Sequence, residues 1–365
     1  MSVAGRGLVD RAAETLATGH PIIVTAGAGP SSVADIVIAG QHAGADCVAW
    51  AIRYTSGFLC AAMSAGRADK LNLPALRGDG LAKKGIPAYG VGVDAAAGIG
   101  TGISALDRAH TVRVLAESGT GPDDLTRPGH VVPIRTAERG VLQQRGAAEA
   151  AVDLCMIGGL APVAITATLL TDAGHLLQGD ELAEFADRHQ IEMVTVDSVA
   201  HHVLRHGTSR RGRLRRLVEQ PVNLGVEGPF LIDFADEVTG ATHTVMIGHV
   251  GPGQNPGQIP KVHVVTACAR RQSESEVGDG NSPLDLEAGG FQITEQGGMI
   301  IALRDTPELF MAEKFELARG AVVAALRHFG VGRAWVIGWP DGSDRGASRL
   351  IDCRPDPKHR RVAAS

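Results

Sequence analysis

Hydrophobic residues in the first two hundred positions follow two alternating patterns. Short continuous apolar runs, such as residues 21–24, predict buried strands, whereas apolar residues spaced three or four apart predict helices. Strands are predicted at 21–24, 58–63, 86–93, 163–170 and 191–196, and helices at 8–18, 34–45, 147–157 and 180–189. Strands and helices that alternate in this order indicate a layered α/β structure.

A second group of strands begins near Val222. Strands are predicted at 228–234, 243–248, 260–263, 299–304 and 334–338, and a helix at 317–328. Residues 272–291 combine Ser, Glu, Gly and Asp with little periodicity, which indicates a loop. The length of 365 residues agrees with two domains, which we place at 1–205 and 222–365 with a basic linker at 206–221.

The linker region is rich in arginine. Between residues 198 and 220 the sequence contains Arg205, Arg210, Arg211, Arg213, Arg215 and Arg216. We interpret this region as a solvated hinge helix. The alternative is an anion-binding patch for phosphate or RNA, although the aromatic residues typical of RNA-binding surfaces are missing there. The neighbouring His201 and His202 are predicted to lie on the surface.

Composition narrows the class of protein. The net charge of −5 gives no general attraction to nucleic acid or membranes. Five widely spaced cysteines without a CxxC pair favour reduced thiols in the cytosol over a disulfide framework. No signal peptide precedes Gly7, and no apolar run has the length of a membrane span. We therefore expect a soluble cytoplasmic protein.

A glycine-rich turn leads into a predicted helix in the middle of the first domain. Gly98, Gly100 and Gly102 precede Ser104, the predicted N-cap, and Asp107 follows three residues later as a capping acid. The helical spacing of apolar residues then continues until Gly119. Backbone N–H groups at such a turn can bind an anion. The alternative is a tight loop that only joins a strand to a helix.

Several motifs in the first domain resemble 3,4-dihydroxy-2-butanone 4-phosphate synthase, a riboflavin-pathway enzyme. They are Gly57–Cys60, Arg67–Asp69, Leu71–Pro74, Val93–Asp94, Thr101–Ala105, Asp107–Arg108, Arg127–His130, Arg145–Gly146, Glu149–Leu154 and Gly159–Leu160. The resemblance covers residues 6–205. It implies a mixed-sheet α+β domain, a homodimer with a pocket at its two-fold interface, and a phosphorylated sugar as substrate. The second domain resembles GTP cyclohydrolase II, which is often fused behind the synthase.

The resemblance fails at the positions that would bind magnesium. The family has an acidic loop after its first strand, but in residues 25–35 only Asp35 is acidic, and Gly29 to Ser32 stand near the expected arginine and glutamate. The family's metal-binding histidine is replaced by Ala147, and its catalytic glutamate by Thr168. Magnesium prefers hard oxygen ligands in octahedral order. We therefore predict no magnesium site and no ordinary synthase activity.

The second domain shows a similar loss at the family's zinc site. The cyclohydrolase family holds zinc with three cysteines, but the first would fall near Thr266, and Cys268 is two residues late. The later Cys-x-Cys pair is absent from 272–291, and Asp305–Glu308 replaces the expected arginine-rich segment after Arg304. We therefore predict no zinc and no cyclohydrolase activity.

The resemblance implies that a phosphate-binding pocket survives. Its candidate binding residues are Thr101, Asp107, Arg127, His130 and Arg145, and its candidate catalytic residues are Asp35, Cys60, His130 and Glu149. Arginine is well suited to bind phosphate. Alternatively, Arg127 and His130 only fix loops through hydrogen bonds, and Cys60 is a core residue.

Three hypotheses for function follow from these losses. The first is a diverged paralogue that binds a phosphosugar, a nucleotide or a protein partner without parental turnover. The second is a repurposed, metal-independent lyase or isomerase of a specialised biosynthetic pathway. The third, which the losses disfavour, is an active synthase with acids supplied from elsewhere in the chain. A membrane partner is not expected, and the composition argues against nucleic acid.

Overall fold

The computed structural model describes residues 7–76, 87–208, 213–221, 230–247, 259–267, 298–304, 314–337 and 348–352. The chain divides into two compact units. The first comprises Met1–Val203 with Thr208–Arg210, and the second comprises Leu204–Gly207 with Arg211–Ser365.

The first unit is built on a mixed sheet. Its strands are β1 (Ile22–Thr25), β2 (Ala34–Ala39), β3 (Cys60–Met63), β4 (Ala88–Tyr89), β5 (Val93–Ala95), β6 (Leu125–Arg135), β7 (Val163–Thr168) and β8 (Met193–Thr195). Its helices are α1 (Leu8–Ala17), α2 (Ala45–Tyr54), α3 (Ala65–Lys70), α4 (Ala105–Ala116), α5 (Ala147–Ile157), α6 (Gly179–His189) and α7 (Val196–His206), whose residues from Leu204 belong to the second unit. The strand order is β4-β6-β3-β7-β2-β1-β8, and β5 pairs with β6.

Both faces of this sheet are covered, which explains the continuous apolar runs. Successive side chains of a strand point to opposite faces. Accordingly Ile23, Ile36 and Ile38 lie in one hydrophobic cluster, whereas Ile22 and Val37 lie in another. The sheet combines the antiparallel pair β1–β2 with the parallel pair β1–β8. The predicted class, layered α/β structure with mixed sheets, is confirmed.

The helix predicted at 34–45 is wrong. Residues 34–39 form the central strand β2, and the helix α2 begins only at Ala45. The β-branched run Ile36–Ile38 favours a strand, and burial on both faces removes the alternation that would reveal one. A short apolar run cannot be assigned to a helix or a strand by periodicity alone.

The second unit contains a seven-stranded sheet and a packed helix. Its strands are β9 (Leu214–Pro221), β10 (Phe230–Asp236), β11 (Thr242–Ile247), β12 (Lys261–Ala267), β13 (Met299–Arg304), β14 (Arg333–Ile337) and β15 (Ser348–Asp352), in the order β15-β14-β12-β13-β11-β10-β9. The helix α8 (Lys314–His328) places Ala321, Val322 and Ala325 in one hydrophobic cluster with Val262 and Ile301 of the sheet.

The solvated hinge helix predicted in the arginine-rich region is wrong for its second half. Residues 214–221 form the edge strand β9, and Arg213, just before it, is 2% exposed. The reason is a long-range ion pair with Asp236, which a local pattern cannot reveal. No helix within the described residues has both the length and the apolar character needed to cross a membrane.

Candidate functional site

Three predicted site positions meet at one end of the interior strands of the first sheet, where β2 and β3 begin and β7 ends. Asp35 of β2 is paired with Thr168 of β7, and Cys60 of β3 is paired with Thr166. The Thr168 hydroxyl donates a hydrogen bond of 2.7 Å to the Asp35 carboxylate. Thr168, which the family resemblance puts at the position of a catalytic glutamate, is therefore a neutral donor to the Asp35 carboxylate.

Burial at these strand ends disfavours the charged forms of the Asp35 carboxyl and the Cys60 thiol. Burial raises the pKa of Asp35, and the hydrogen bond from Thr168 partly opposes that rise. Burial, with a smaller contribution from the Asp35 charge, raises the pKa of Cys60 to about 12. The thiolate is the nucleophilic form of cysteine, so Cys60 is not activated at neutral pH. Burial raises the pKa of Tyr89 in β4, with smaller contributions from the Cys60 and Asp35 charges.

A histidine and a buried carboxylate form a dyad beside the glycine-rich turn. His130 Nδ1 lies 2.7 Å from Asp94 Oδ2, and the His130 backbone N–H donates to Asp94 Oδ1. The Asp94 side chain is 8% exposed and that of His130 is 39% exposed. A carboxylate at Nδ1 favours the tautomer in which Nε2 is free to accept a proton or a hydrogen bond. Asp94 therefore orients the His130 imidazole, whose Nε2 could serve as a base or contact a phosphate.

The glycine-rich turn packs directly on this dyad. Gly102 has a φ of +91°, and a Cβ atom there would lie 2.2 Å from Asp94 Oδ2 and 2.6 Å from His130 Nδ1. Only glycine combines this conformation with this close approach. Thr101 is the exposed neighbour of Gly102. The structure thus brings Thr101 and His130 into one region.

Asp107 already occupies two of the N–H groups of the turn. Its carboxylate accepts hydrogen bonds from Gly102 N–H at 3.0 Å and from Gly100 N–H at 3.2 Å. Those bonds hold the pKa of Asp107 below its usual value. The predicted N-cap is confirmed, since Ser104 Oγ accepts from Asp107 N–H. However, the interpretation in which these glycine N–H groups bind a ligand anion does not hold for Gly100 and Gly102.

Arg127 acts as a loop-fixing residue. Its guanidinium donates hydrogen bonds to three backbone carbonyls, those of Leu71, Pro122 and Leu125. This arrangement ties the start of β6 to the end of α3. The alternative of loop fixing therefore describes Arg127 better than phosphate binding.

Arg145 lies two residues before α5 and Glu149 lies in its first turn, and the two side chains differ in exposure. Arg145 is exposed, and its Nη1 donates to the Val141 carbonyl at 2.9 Å. Glu149 is 2% exposed and accepts a hydrogen bond of 3.3 Å from Ala137 N–H. Glu149 is therefore placed as a structural acceptor, whereas Arg145 can meet a ligand.

The positions expected to bind metals carry few donors. Gly29 to Ser32 belong to the connection between β1 and β2, and Ala147 opens α5 without a donor side chain. Within the described ranges, no group of three His, Cys, Asp or Glu side chains is placed to hold a metal ion. One carboxylate bonded to a threonine does not fit the octahedral oxygen shell of magnesium. In the second unit Thr266 lies in β12, and Cys268 falls outside the described residues.

The two histidines of α7 differ from each other. His201 is exposed, as predicted. His202 is partly buried, with Nε2 3.8 Å from Asp10 Oδ1, and burial lowers its pKa. The surface prediction is therefore wrong for His202, because α7 packs this side against α1.

The role of Asp94 is not apparent from the sequence. It lies in a recognised motif, but its partner His130 is 36 residues away, on another strand. The only local signal is a carboxylate within an apolar strand, Val93–Ala95, which calls for a buried hydrogen-bonding partner.

Comparisons with known proteins agree on the first unit. The family model of 3,4-dihydroxy-2-butanone 4-phosphate synthase matches residues 10–202. The riboflavin biosynthesis protein RibBA of Salinispora arenicola is 36% identical over 251 residues, which cover 68% of this chain and 58% of that protein. RibBA of Rhodococcus jostii is 42% identical over 190 residues, 52% of this chain and 45% of that protein. This chain therefore matches about half to three fifths of these relatives.

Solved structures extend the comparison to the fold. A 3,4-dihydroxy-2-butanone 4-phosphate synthase in complex with two magnesium ions is 31% identical, with a TM-score of 0.51, covering 54% of this chain and 97% of that one. RibBX of A. baumannii, a two-domain 3,4-dihydroxy-2-butanone 4-phosphate synthase, has a TM-score of 0.57 and covers 92% of this chain and 96% of its own. At 21% identity, this second likeness supports a shared two-domain fold alone.

Proposed function

Because the chain belongs to the 3,4-dihydroxy-2-butanone 4-phosphate synthase family, we propose that it binds a phosphosugar or a nucleotide without carrying out parental synthase turnover. One observation carries this proposal. The Asp94–His130 dyad packs against its glycine-rich turn, whereas Ala147 stands where the family resemblance puts a metal-binding histidine, and Thr168, where it puts a catalytic glutamate, is hydrogen-bonded to Asp35.

The argument against parental turnover rests on the donor set. One related synthase binds two magnesium ions. Magnesium that polarises neighbouring oxygens would need carboxylate ligands arranged around it. At the strand ends where β2 meets β7, this chain offers the carboxyl of Asp35. Its raised pKa and its hydrogen bond to Thr168 make it a poor magnesium ligand. Ala147 cannot supply the imidazole of the family.

The argument for binding rests on charge and exposure. Arg145 is exposed at the start of α5, and His130 presents 39% of its side chain beside Thr101. A guanidinium forms bidentate, charge-assisted hydrogen bonds to phosphate. A phosphorylated sugar or a nucleotide offers the anion that Arg145 would bind and hydroxyl groups for the imidazole.

The same dyad favours a second candidate, a metal-independent isomerase or lyase. Asp94 holds His130 in an orientation that leaves Nε2 as a general base. Such a base could remove a proton next to a carbonyl group of a bound sugar. The second candidate therefore differs from the first only in turnover, and not in the ligand.

A thermal-shift titration with ribulose 5-phosphate tests binding. At a hundredfold excess over the dissociation constant, a ligand stabilises the fold by about 2.7 kcal/mol. Arg145→Ala should lose most of this gain, whereas Arg188→Ala, a control at an exposed arginine of α6, should keep it. A wild type that is not stabilised by ribulose 5-phosphate or by a guanine nucleotide would refute the binding proposal.

An activity assay separates the two candidates. We expect no formate from ribulose 5-phosphate with magnesium present. Isotope exchange from solvent into bound ribulose 5-phosphate, lost in His130→Asn, would favour the isomerase. Formate release at a rate within tenfold of an ordinary family member would refute the loss of synthase turnover.

Two further proposals concern assembly and metal. By the family resemblance, we propose that the first unit forms a homodimer, which light scattering at micromolar concentration would test. We also propose that the second unit holds no structural zinc. About one tightly bound zinc per chain in a metal analysis would contradict that proposal.

A further inference from the structure

The segment that carries Arg145 is held by two buried carboxyl groups. Residues 136–146, here called the arginine segment, join β6 to α5. Glu149 and Asp153 lie one turn apart on α5 and are 2% and 5% exposed. Glu149 Oε1 accepts from Ala137 N–H at 3.3 Å, and Asp153 Oδ2 accepts from Val141 N–H at 3.0 Å. One face of α5 therefore binds the backbone of the segment at two points.

Contact between the segment and Asp153 is unusually close. Gly140 has a φ of +51°, and a Cβ atom there would lie 2.3 Å from Asp153 Oδ1. Val141, the next residue, donates its N–H to Asp153 and accepts a hydrogen bond from Arg145 Nη1 at 2.9 Å. A continuous set of contacts thus connects the Asp153 carboxyl to the Arg145 guanidinium through the backbone of one residue, Val141.

We propose that Asp153 is a positioning residue for Arg145, and that ionisation of its carboxyl favours opening of the arginine segment. The effect on ligand affinity rests on the proposed function, because it requires Arg145 to contact the phosphorylated ligand. The opening of the segment does not depend on that function and can be measured without a ligand.

The direction of the effect follows from the cost of a buried charge. Burial raises the pKa of Asp153 to about 7, the Val141 hydrogen bond opposes the rise, and the charge of Glu149 adds to it. Among the described ionisable groups, Glu149 is the one whose charge acts on Asp153. The charged groups of the segment itself, Glu138, Arg139 and Arg145, are exposed.

In an open segment Asp153 meets water and regains a pKa of about 4. Between about pH 4 and 7, Asp153 is therefore protonated in the closed segment and ionised in the open one. Opening releases this proton, so its equilibrium constant rises up to about tenfold for each unit of pH increase over that range. Above pH 7 the carboxyl is ionised in both states, and the opening equilibrium becomes constant. The segment is therefore held most tightly under acidic conditions.

Hydrogen exchange of the full-length protein measures this opening. After correction for the intrinsic pH dependence of exchange, protection of the peptide covering 136–146 should fall from pH 5.5 to about 7 and then level off. Asp153→Asn keeps a hydrogen-bond acceptor but cannot ionise, so its protection should change with pH much less than that of the wild type, with only the contribution of Glu149 remaining, whose pKa burial also raises. Asp123→Asn, at an exposed carboxyl of the same unit, should retain the wild-type profile.

A parallel titration with ribulose 5-phosphate tests the consequence for the site. The affinity ratio of Asp153→Asn to wild type should be near one at pH 5.5 and should rise severalfold by pH 7.5. If ribulose 5-phosphate does not bind the wild type at any pH, the proposed function fails, and the exchange experiment still decides the positioning proposal. A flat wild-type exchange profile would overturn it even if Asp153→Asn did not fold. So would an unchanged profile in Asp153→Asn.

Discussion

Breaking the buried ion pair of the second unit should cost far more than breaking an exposed pair beside it. Arg213 donates to both oxygens of Asp236, with Nε to Oδ1 at 2.8 Å and Nη2 to Oδ2 at 2.6 Å. The two side chains are 1% and 0% exposed. Asp236 also accepts from Thr239 and His243, and the Arg213 Nη1 donates to the Leu204 carbonyl at 2.7 Å.

The loss of folding free energy in each variant depends on whether the carboxylate left without its arginine is buried or solvated. Arg213→Ala leaves the Asp236 carboxylate buried without its main partner, which costs about 3–5 kcal/mol. Two residues later, Arg215 pairs with Glu237 at 3.0 Å, but these side chains are 64% and 46% exposed. Water solvates a Glu237 carboxylate that loses this partner, so Arg215→Ala should cost less than about 1 kcal/mol.

Urea denaturation of the full-length chain can isolate the second unit. Trp50 is the tryptophan of the first unit, and Trp335 and Trp339 belong to the second. In a Trp50→Phe background, fluorescence therefore reports the second unit. With a slope near 2 kcal/mol per molar urea, Arg213→Ala should lower the midpoint by about 1.5–2.5 M, and Arg215→Ala by less than about 0.5 M. Equal shifts in the two variants would refute the burial argument.

Acid titration adds an independent check. The Arg213 guanidinium and His243 hold the pKa of Asp236 well below its usual range, against the opposing effect of burial. The stability that Asp236 contributes is therefore complete above about pH 4 and is lost as the pH falls towards its folded-state pKa. This loss should be much smaller in Arg213→Ala. The double variant Arg213→Met, Asp236→Leu should be more stable than Arg213→Ala, because it leaves no unpaired carboxylate buried, but it should stay below the wild type, because Thr239 and His243 lose their acceptor.

Two further substitutions test the first unit. Gly102→Ala should destabilise the first unit by about 2 kcal/mol or more, because the new Cβ would clash with Asp94 and the φ of residue 102 is positive. Gly66→Ala in α3 should instead stabilise the unit by about 0.5–1 kcal/mol, because a Cβ there meets open space. Calorimetry showing similar effects at both glycines would contradict the close packing. Asp35→Asn should raise Tm at pH 7, since the raised pKa of Asp35 means that its stability contribution falls as the pH rises above about 4. A Tm difference from wild type that does not shrink towards pH 4 would argue against a buried charge.

Local sequence patterns predict the helices whose caps and apolar spacing lie within their own segment. The helix α4 begins after Ser104 and α5 spans 147–157, because an N-cap or a helical repeat is contained in the segment itself. The strand β2 was mistaken for a helix, because burial on both faces erased its alternation. What covers each face of a strand depends on elements distant in the sequence.

The candidate site was only partly predictable for the same reason. His130 was identified by motif, but its pairing with Asp94 joins strands 36 residues apart. The turn at Gly98–Gly102 was predicted as an anion site, and the competing carboxylate came from Asp107, only five residues beyond Gly102. The sequence alone does not state whether an adjacent acid folds back on a turn or faces solvent.

The carboxylate of Asp107 occupies the N–H groups of the glycine-rich turn in the way that a bound anion would, but it belongs to the same chain. A tethered group competes at an effective concentration that free anions reach only in the millimolar range or above. Asp107 thereby satisfies the N–H groups of Gly100 and Gly102, and the turn holds its shape without a bound anion. If the chain binds a phosphosugar as we propose, Thr101 and His130 are then the groups at this turn left to contact its hydroxyls, and the phosphate would fall to Arg145.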